Sequence, residues 1–240
     1  VYFERSEFDS GKQDVIERTE ASLSYPMFVK PANLGSSIGI SRADDRAGLE
    51  KAIEIACQYD RRILVEEAVQ NRVEINCSAL GYGKDVETSL CEQPVSWEKF
   101  LSFEDKYLNG GKIGSAKGNG GMANLSRIIP APVSDEITQK VKSMTEKAFK
   151  LLDCCGVVRI DYLLDSEKNK LYINEINTMP GSFAYYLWQP MGVEYPALID
   201  KLVECAMRAK ADSDASIYSY NSKALDNYSS KGSSKAGGKL

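Results

Sequence analysis

Val158-Arg159-Ile160-Asp161-Tyr162 and, fourteen residues beyond Asp161, Glu175-Ile176-Asn177 flank a polar turn at 165–169. Even positions from 158 to 164 are apolar, so a strand through them turns Arg159 and Asp161 to the opposite face. Glu175 and Asn177 share a face on the partner strand by the same period. The turn folds the two strands antiparallel and sets Asp161 roughly opposite Glu175. Two carboxylates, an amide oxygen and a guanidinium then converge. Hard oxygen donors of this kind suit Mg²⁺, which takes one or two protein carboxylates and completes its shell with phosphates and water. Arg159 is placed to grip a phosphate bidentately. Taken singly, Asp161 or Glu175 reads as readily as part of a solvated face. The whole set, followed by Thr178-Met179-Pro180-Gly181, reads as a site.

The rest of the chain alternates strands and helices in an α+β pattern. Residues 12–23 read as a helix, Met27–Lys30 as a strand, 33–37 as a Gly/Ser loop and 38–41 as a short strand. Residues 47–59 form a helical pattern with Leu49, Ala52, Ile53 and Ala56 on one face, capped by Asp44 or Asp45. Strand-like runs follow at 62–66, 72–82 and 86–91. The polar, Gly-rich stretch 103–125 has little periodicity and reads as a mobile lid or a disordered insert. After a strand at 126–129, Ser134 caps a helix whose apolar positions are Ile137, Val141, Met144, Ala148 and Leu152. Strands at 157–164 and 171–176 and a helix from Pro196 to about Ala209 complete the order. The divisions expected are a lead-in segment 1–24, a first subdomain 25–100, a second subdomain 101–210 carrying the loop 103–125, and a disordered polar tail 211–240.

Composition excludes several classes. A chain of 240 residues with 43% hydrophobic residues builds one or two real cores. A net charge of -4 speaks against nucleic-acid binding. No apolar run approaches the roughly 20 residues that span a bilayer, and the first residues lack a signal-peptide pattern, so a cytoplasmic location without membrane contact is expected. The chain starts without Met and reads straight into a strand, which points to a piece of a longer protein. Its six cysteines form no C-x-x-C and read as reduced, partly buried thiols. With no histidine at all, Ser-His-Asp triads, Cys-His dyads and ordinary zinc catalysis are ruled out. Carboxylates, Lys and Arg remain, a set that suits a metal–nucleotide enzyme.

Phe28-Val29-Lys30-Pro31 followed by Gly35-Ser36-Ser37-Ile38-Gly39 supplies a lysine at a strand end and a hydroxyl-rich loop able to fold over phosphates, although it is not a Walker A motif. Together with Arg159-Ile160-Asp161 and the run Asn174 to Gly181, it resembles the D-alanine–D-alanine ligase family of ATP-grasp enzymes, over about Tyr2 to Ala209. That resemblance implies an ATP-grasp fold in which two α+β subdomains clamp ATP. It assigns Asp161, Glu175 and Asn177 to two Mg²⁺ ions, with Mn²⁺ an acceptable substitute. Arg159 and the Gly181 N–H would stabilise the acyl-phosphate and the tetrahedral intermediate, with Ser37 of the serine loop a further catalytic residue. Lys30, Ser36 and Ser37 would hold phosphates. Glu66 with the backbone of Ala68 and Val69 would hold adenine, Glu74 the ribose, and the Lys106–Tyr107 pair would close over the nucleotide.

The resemblance further implies ligation of two D-alanines for peptidoglycan precursors, an N-terminal domain outside this chain that supplies further site groups, and room for a homodimer. One position departs from the family pattern: Tyr186 stands where a serine helps hold the second D-alanine's carboxylate. That departure leaves open a ligase with another amino or hydroxy acid acceptor, and the residues alone also leave open a non-catalytic ATP-binding module.

Overall fold

The computed structural model describes residues 1–35, 37–94 and 127–217. Its first sheet contains β1 (Tyr2–Glu4), β2 (Met27–Pro31), β3 (Ser41–Ala43) and β4 (Arg62–Glu67), all antiparallel in the order β1-β4-β2-β3. On β2 the period of two buries Met27, Val29 and Pro31 and turns Phe28 and Lys30 to the other face. The buried side is covered by α1 (Arg5–Ser10), α2 (Lys12–Ser22) and α3 (Arg46–Tyr59). Helix α3 starts where Asp45 accepts the Gly48 N–H at 2.7 Å. It buries Leu49, Ala52, Ile53 and Ala56 in one cluster with Phe3, Phe8, Val15, Ile16, Ile63 and Val65. Each large side chain sealed this way contributes about 1.5–3 kcal/mol.

Residues 1–24 are therefore not a lead-in. Phe3, Phe8, Val15 and Ile16 are core, and β1 pairs with β4. Helix α1 escapes a sequence reading because six residues are too short to show a period; Glu7 caps it by accepting the Glu4 N–H at 3.0 Å. The short strand expected at 38–41 lies at Ser41–Ala43 instead. Residues 37–39 form a turn in which Gly39 has φ 72, and a Cβ there would stand 2.7 Å from the Tyr59 ring.

The second sheet runs β7-β6-β5-β8-β9, again antiparallel throughout, from β5 (Arg72–Tyr82), β6 (Asp85–Pro94), β7 (Arg127–Ile128), β8 (Cys155–Asp165) and β9 (Lys170–Asn177). The sequence divides the chain near residue 100, but β5 and β6 hydrogen-bond into this sheet, so the change of sheet falls between Glu67 and Arg72. One face packs on α4 (Asp135–Leu151), where Ile137, Val141, Ala148 and Phe149 meet Ile75, Cys77, Val158, Ile160 and Tyr162. Ser134 accepts the Ile137 N–H at 3.3 Å and opens that helix. The opposite face is apolar only at one end. There Leu80 and Val157 are covered by α5 (Tyr185–Trp188) and α6 (Tyr195–Ala215) through Leu187, Trp188 and Leu198. Helix α6 continues past Ala211, where the sequence suggests a disordered tail. Among the described residues all six cysteines are free, and no helix is long and apolar enough to cross a membrane.

Candidate functional site

The remainder of that second face is polar, and strand register is what gathers it. Asp161 lies opposite Glu175 on one side and Asn76 on the other; Arg159 lies opposite Asn177 and Ser78; Asn76 also faces Glu92 on β6. Directly paired residues project to the same side of a sheet, so these groups and Glu74 line one surface.

Arg159 grips Asp161 with both arms, Nε to Oδ1 and Nη2 to Oδ2, each at 2.7 Å. Asn177 Nδ2 donates to Asp161 at 3.0 Å and to Glu175 at 3.1 Å. Asp161 is 4% exposed. Burial pushes its carboxyl up to about 6 against the pull of Arg159, and Glu175 pushes it the same way. Burial also lifts Glu74 to about 7, reinforced by the charge of Asp161. For Arg159, burial works against the charge, but the Asp161 contact outweighs it and holds the guanidinium above its ordinary value. The arrangement is a desolvated acidic surface with the Arg159 guanidinium set into it.

A bulge shapes its edge. The β8–β9 register shifts between Asp161 and Tyr162, leaving Asn174 as the extra residue of β9. A bulge re-aims the residue it carries, and Asn174 Oδ1 accepts from Lys30 Nζ at 3.1 Å. Lys30 belongs to the first sheet and also pairs with Glu66 on β4. The contact joins the lysine of one sheet to the carboxylate strand of the other.

Past Pro180 the chain enters a 3-10 turn, Gly181–Ala184, in which Ser182, Phe183 and Ala184 all have φ near 50. It delivers Tyr186, whose hydroxyl donates to Glu92 at 2.8 Å and accepts from Arg159 Nη1 at 3.4 Å.

The structure thus brings Arg159, Asp161, Glu175, Asn177 and Tyr186 together, with Glu74 in electrostatic reach and Lys30 and Glu66 tied to them through Asn174. Ser37, with φ 59, sits in the turn after Gly35. The backbone of Ala68 is expected to serve adenine, and its N–H donates to the Pro26 carbonyl at 2.9 Å. No contact distinguishes Val69. Ser36, Lys106, Tyr107, the loop 103–125 and the tail beyond residue 217 lie outside the described residues.

Asn76, Glu92, Arg127 and Asn174 are members of the site that the sequence reading passes over. A signal existed for one of them: Asn76 stands between Ile75 and Cys77 in the strand run 72–82. The bulge at Asn174 leaves no such mark.

A family model for the D-ala D-ala ligase C-terminus matches residues 1–204. The D-alanine–D-alanine ligase of Thermosipho africanus is 38% identical over 213 residues, which are 89% of this chain and 54% of that protein. The enzyme of the same name from Enterococcus faecalis is 39% identical over 207 residues, 85% and 55% of the two chains. Among solved structures, the VanG D-Ala:D-Ser ligase from Enterococcus faecalis has a TM-score of 0.66 at 24% identity, covering 85% of this chain and 55% of that one. The D-alanine–D-alanine ligase from Coxiella burnetii has a TM-score of 0.65 at 24% identity, covering 96% and 55%. The fold is the α+β ATP-grasp arrangement of these ligases, and the chain spans about half the length of the relatives it matches. With the match running across most of its residues, the chain belongs to the D-ala D-ala ligase C-terminus family.

Proposed function

We propose that this chain is the nucleotide-binding part of an ATP-dependent carboxylate–amine ligase that joins two D-alanines into D-alanyl-D-alanine for peptidoglycan precursors. The observation that carries this reading is the cluster Arg159–Asp161–Glu175–Asn177, tied through Asn174 to a lysine of the facing sheet.

The donor set fits Mg²⁺. Among the described residues no three His, Cys, Asp or Glu side chains converge. Two carboxylates and an amide do, and Mg²⁺ bound with nucleotide phosphates needs no more protein ligands than that. A carboxyl raised to about 6 by burial and a neighbouring acid is an environment that favours an added cation. Asp161, Glu175 and Asn177 would hold two ions, Asn177 by turning its amide oxygen inward. Bound there, Mg²⁺ supplies charge neutralisation for the ATP phosphates.

The chain's own groups do the rest. Lys30 exchanges its Glu66 pairing for the α/β-phosphates. The Ser36–Ser37 loop offers hydroxyls and N–H groups to them. Glu66 and the backbone of Val69 hold adenine, and Glu74 the ribose, with Lys106 and Tyr107 closing over the nucleotide. Arg159, charged at every working pH, meets the acyl-phosphate formed on the first D-alanine. The amine of the second then attacks the acyl carbon, and Arg159 with the Gly181 N–H receives the oxyanion. The intermediate collapses by breaking the C–O bond to phosphate, releasing inorganic phosphate and the amine proton. The first D-alanine's own binding groups belong to the part of the ligase outside this chain.

A second reading keeps the chemistry and changes the acceptor. Tyr186 favours it, since a phenol hydrogen-bonded to Glu92 and Arg159 differs from a serine in both size and polarity.

Phosphate release from Mg-ATP by the complete protein separates the readings. Release with D-alanine supports the first reading; release only with D-serine or a D-hydroxy acid supports the second. No release with any acceptor, despite ATP binding, leaves a nucleotide-binding module and sinks both. Glu175→Gln is expected to lower turnover at least a hundredfold while the thermal midpoint moves by no more than a few degrees. Unchanged turnover in that variant removes the hairpin from the mechanism.

A further inference from the structure

Glu92 has 3% of its surface exposed and takes no part in the roles above. Its Oε1 accepts from the Tyr186 hydroxyl at 2.8 Å and from Asn76 Nδ2 at 3.1 Å, and its Oε2 stands 3.4 Å from Arg127 Nη1. The Arg127 guanidinium also lies 3.7 Å from the centre of the Tyr186 ring, close enough for a cation–π contact. The ring is therefore covered on a face and held at its hydroxyl.

The direction of these bonds matters. The Tyr186 hydroxyl has a single proton, and it donates that hydrogen bond to Glu92 Oε1. Burial, with the charge of Glu92, pushes the phenol up to about 12, so that proton stays in place through neutral pH. The phenol oxygen is left with lone pairs only. They point to Arg159, whose Nη1 donates at 3.4 Å. Asp161 occupies the Nε–Nη2 edge of the same guanidinium. Nη1 is thus the arm of Arg159 that Asp161 does not engage, and Tyr186 is what orients it.

We propose that Glu92 is a positioning residue for Arg159, acting through Tyr186: by accepting the phenol's only hydrogen bond it leaves Tyr186 an acceptor that steers Nη1 toward an incoming oxyanion. The proposal rests on the reading of Arg159 as the group that meets developing negative charge. A buried carboxylate–guanidinium pair is weak evidence for stability, because apolar residues of the same size serve as well. A role in orientation accounts for why Glu92 also engages the phenol.

The test is a double-mutant cycle on the complete protein, with Glu92→Gln, Tyr186→Phe and the pair. Affinity for inorganic phosphate in the presence of Mg-ADP is the first readout, and Arg159→Ala marks how much of it belongs to this guanidinium. Acceptor-dependent turnover is the second. Each single variant is expected to weaken phosphate binding and lower kcat about three- to tenfold, with KM for ATP within twofold of the unaltered protein. The double variant should be no worse than Tyr186→Phe alone, since Glu92 has nothing left to act through. Losses that multiply overturn the proposal. So does an Arg159-independent phosphate affinity, or a Glu92→Gln protein indistinguishable from the unaltered one. Coupled losses in phosphate affinity without turnover under any condition uphold the positioning role and overturn the ligase reading alone.

Discussion

Glu74 shows how far the site's chemistry reaches into stability. Burial, then the charge of Asp161, raises its carboxyl from 4.5 to about 7. The folded chain therefore binds this proton more tightly than the unfolded chain does. Below about pH 4.5 the group is protonated in both states and contributes no penalty. As pH rises toward 7 the unfolded state gains by ionising first, so stability falls across that window and levels off above it. Glu74→Gln is expected to flatten this stretch of the profile and to be the more stable protein at pH 8, as read by urea unfolding in steps of half a pH unit. An undiminished slope in the variant assigns the effect to another group. Backbone strain sits close by. Ser182 is exposed with φ 50 and is the first of three successive left-handed residues. A left-handed residue with a Cβ costs roughly 1–2 kcal/mol. Ser182→Gly should recover about 1 kcal/mol or somewhat less, measured by the denaturant midpoint; a lower midpoint would show that the hydroxyl holds the turn.

At the level of elements, the hairpin β8–β9 was legible because its signal is local. The period of two and the polar turn announce an antiparallel hairpin with Asp161 near Glu175, although the direct pairing of those two depends on the bulge, since the Asp165–Lys170 register alone would set Asp161 opposite Asn174. The bulge was not read, since Asn174 and Glu175 are simply two polar residues between Ile173 and Ile176, and the pairing is what exposes Asn174 as the extra one. A one-residue slip turns a strand's side chains to the other face. Asn174 is the residue without a strand partner, so deleting it is expected to leave Leu171 opposite Leu164 and Glu175 opposite Asp161 while removing the Lys30 contact. Mg-dependent nucleotide binding should weaken, read by titration with Mg-ATP, while the thermal midpoint moves by only a few degrees. A variant that still binds Mg-ATP normally removes the bulge from the site's design. The change of sheet between Glu67 and Arg72 was missed for a related reason. Strands β4 and β5 look alike in composition, and only their partners, β2 for one and β8 for the other, assign them to different sheets.

For the whole molecule, the polar surface is bounded on the same face by a buried apolar cluster. Trp188 is fully buried beside Leu80 and Val157, and its Nε1 donates to Ser78 Oγ at 3.2 Å, which in turn donates to the Val158 carbonyl at 2.8 Å. Trp188→Ala removes a large core side chain, for which about 3–5 kcal/mol is the usual loss. A thermal shift much larger than that of Glu175→Gln is expected, and equal shifts would show that the site and not the core carries stability at this end.

The amino-acid sequence by itself determined the α+β alternation, the acidic hairpin, the caps of α3 and α4 and the family signature, since these depend on residues within a turn or two of one another. Tertiary structure alone decided the rest. It folded residues 1–24 into the first core, moved β5 and β6 into the second sheet, linked Lys30 to Asn174 across 144 positions and tied Tyr186 to Glu92 across 94. Contacts at such separations are set by how sheets and helices pack, and no local periodicity encodes them. The Asp161–Glu175–Asn177 cluster could be read along the chain; the clamp that steers Arg159 beside it could be read only in space.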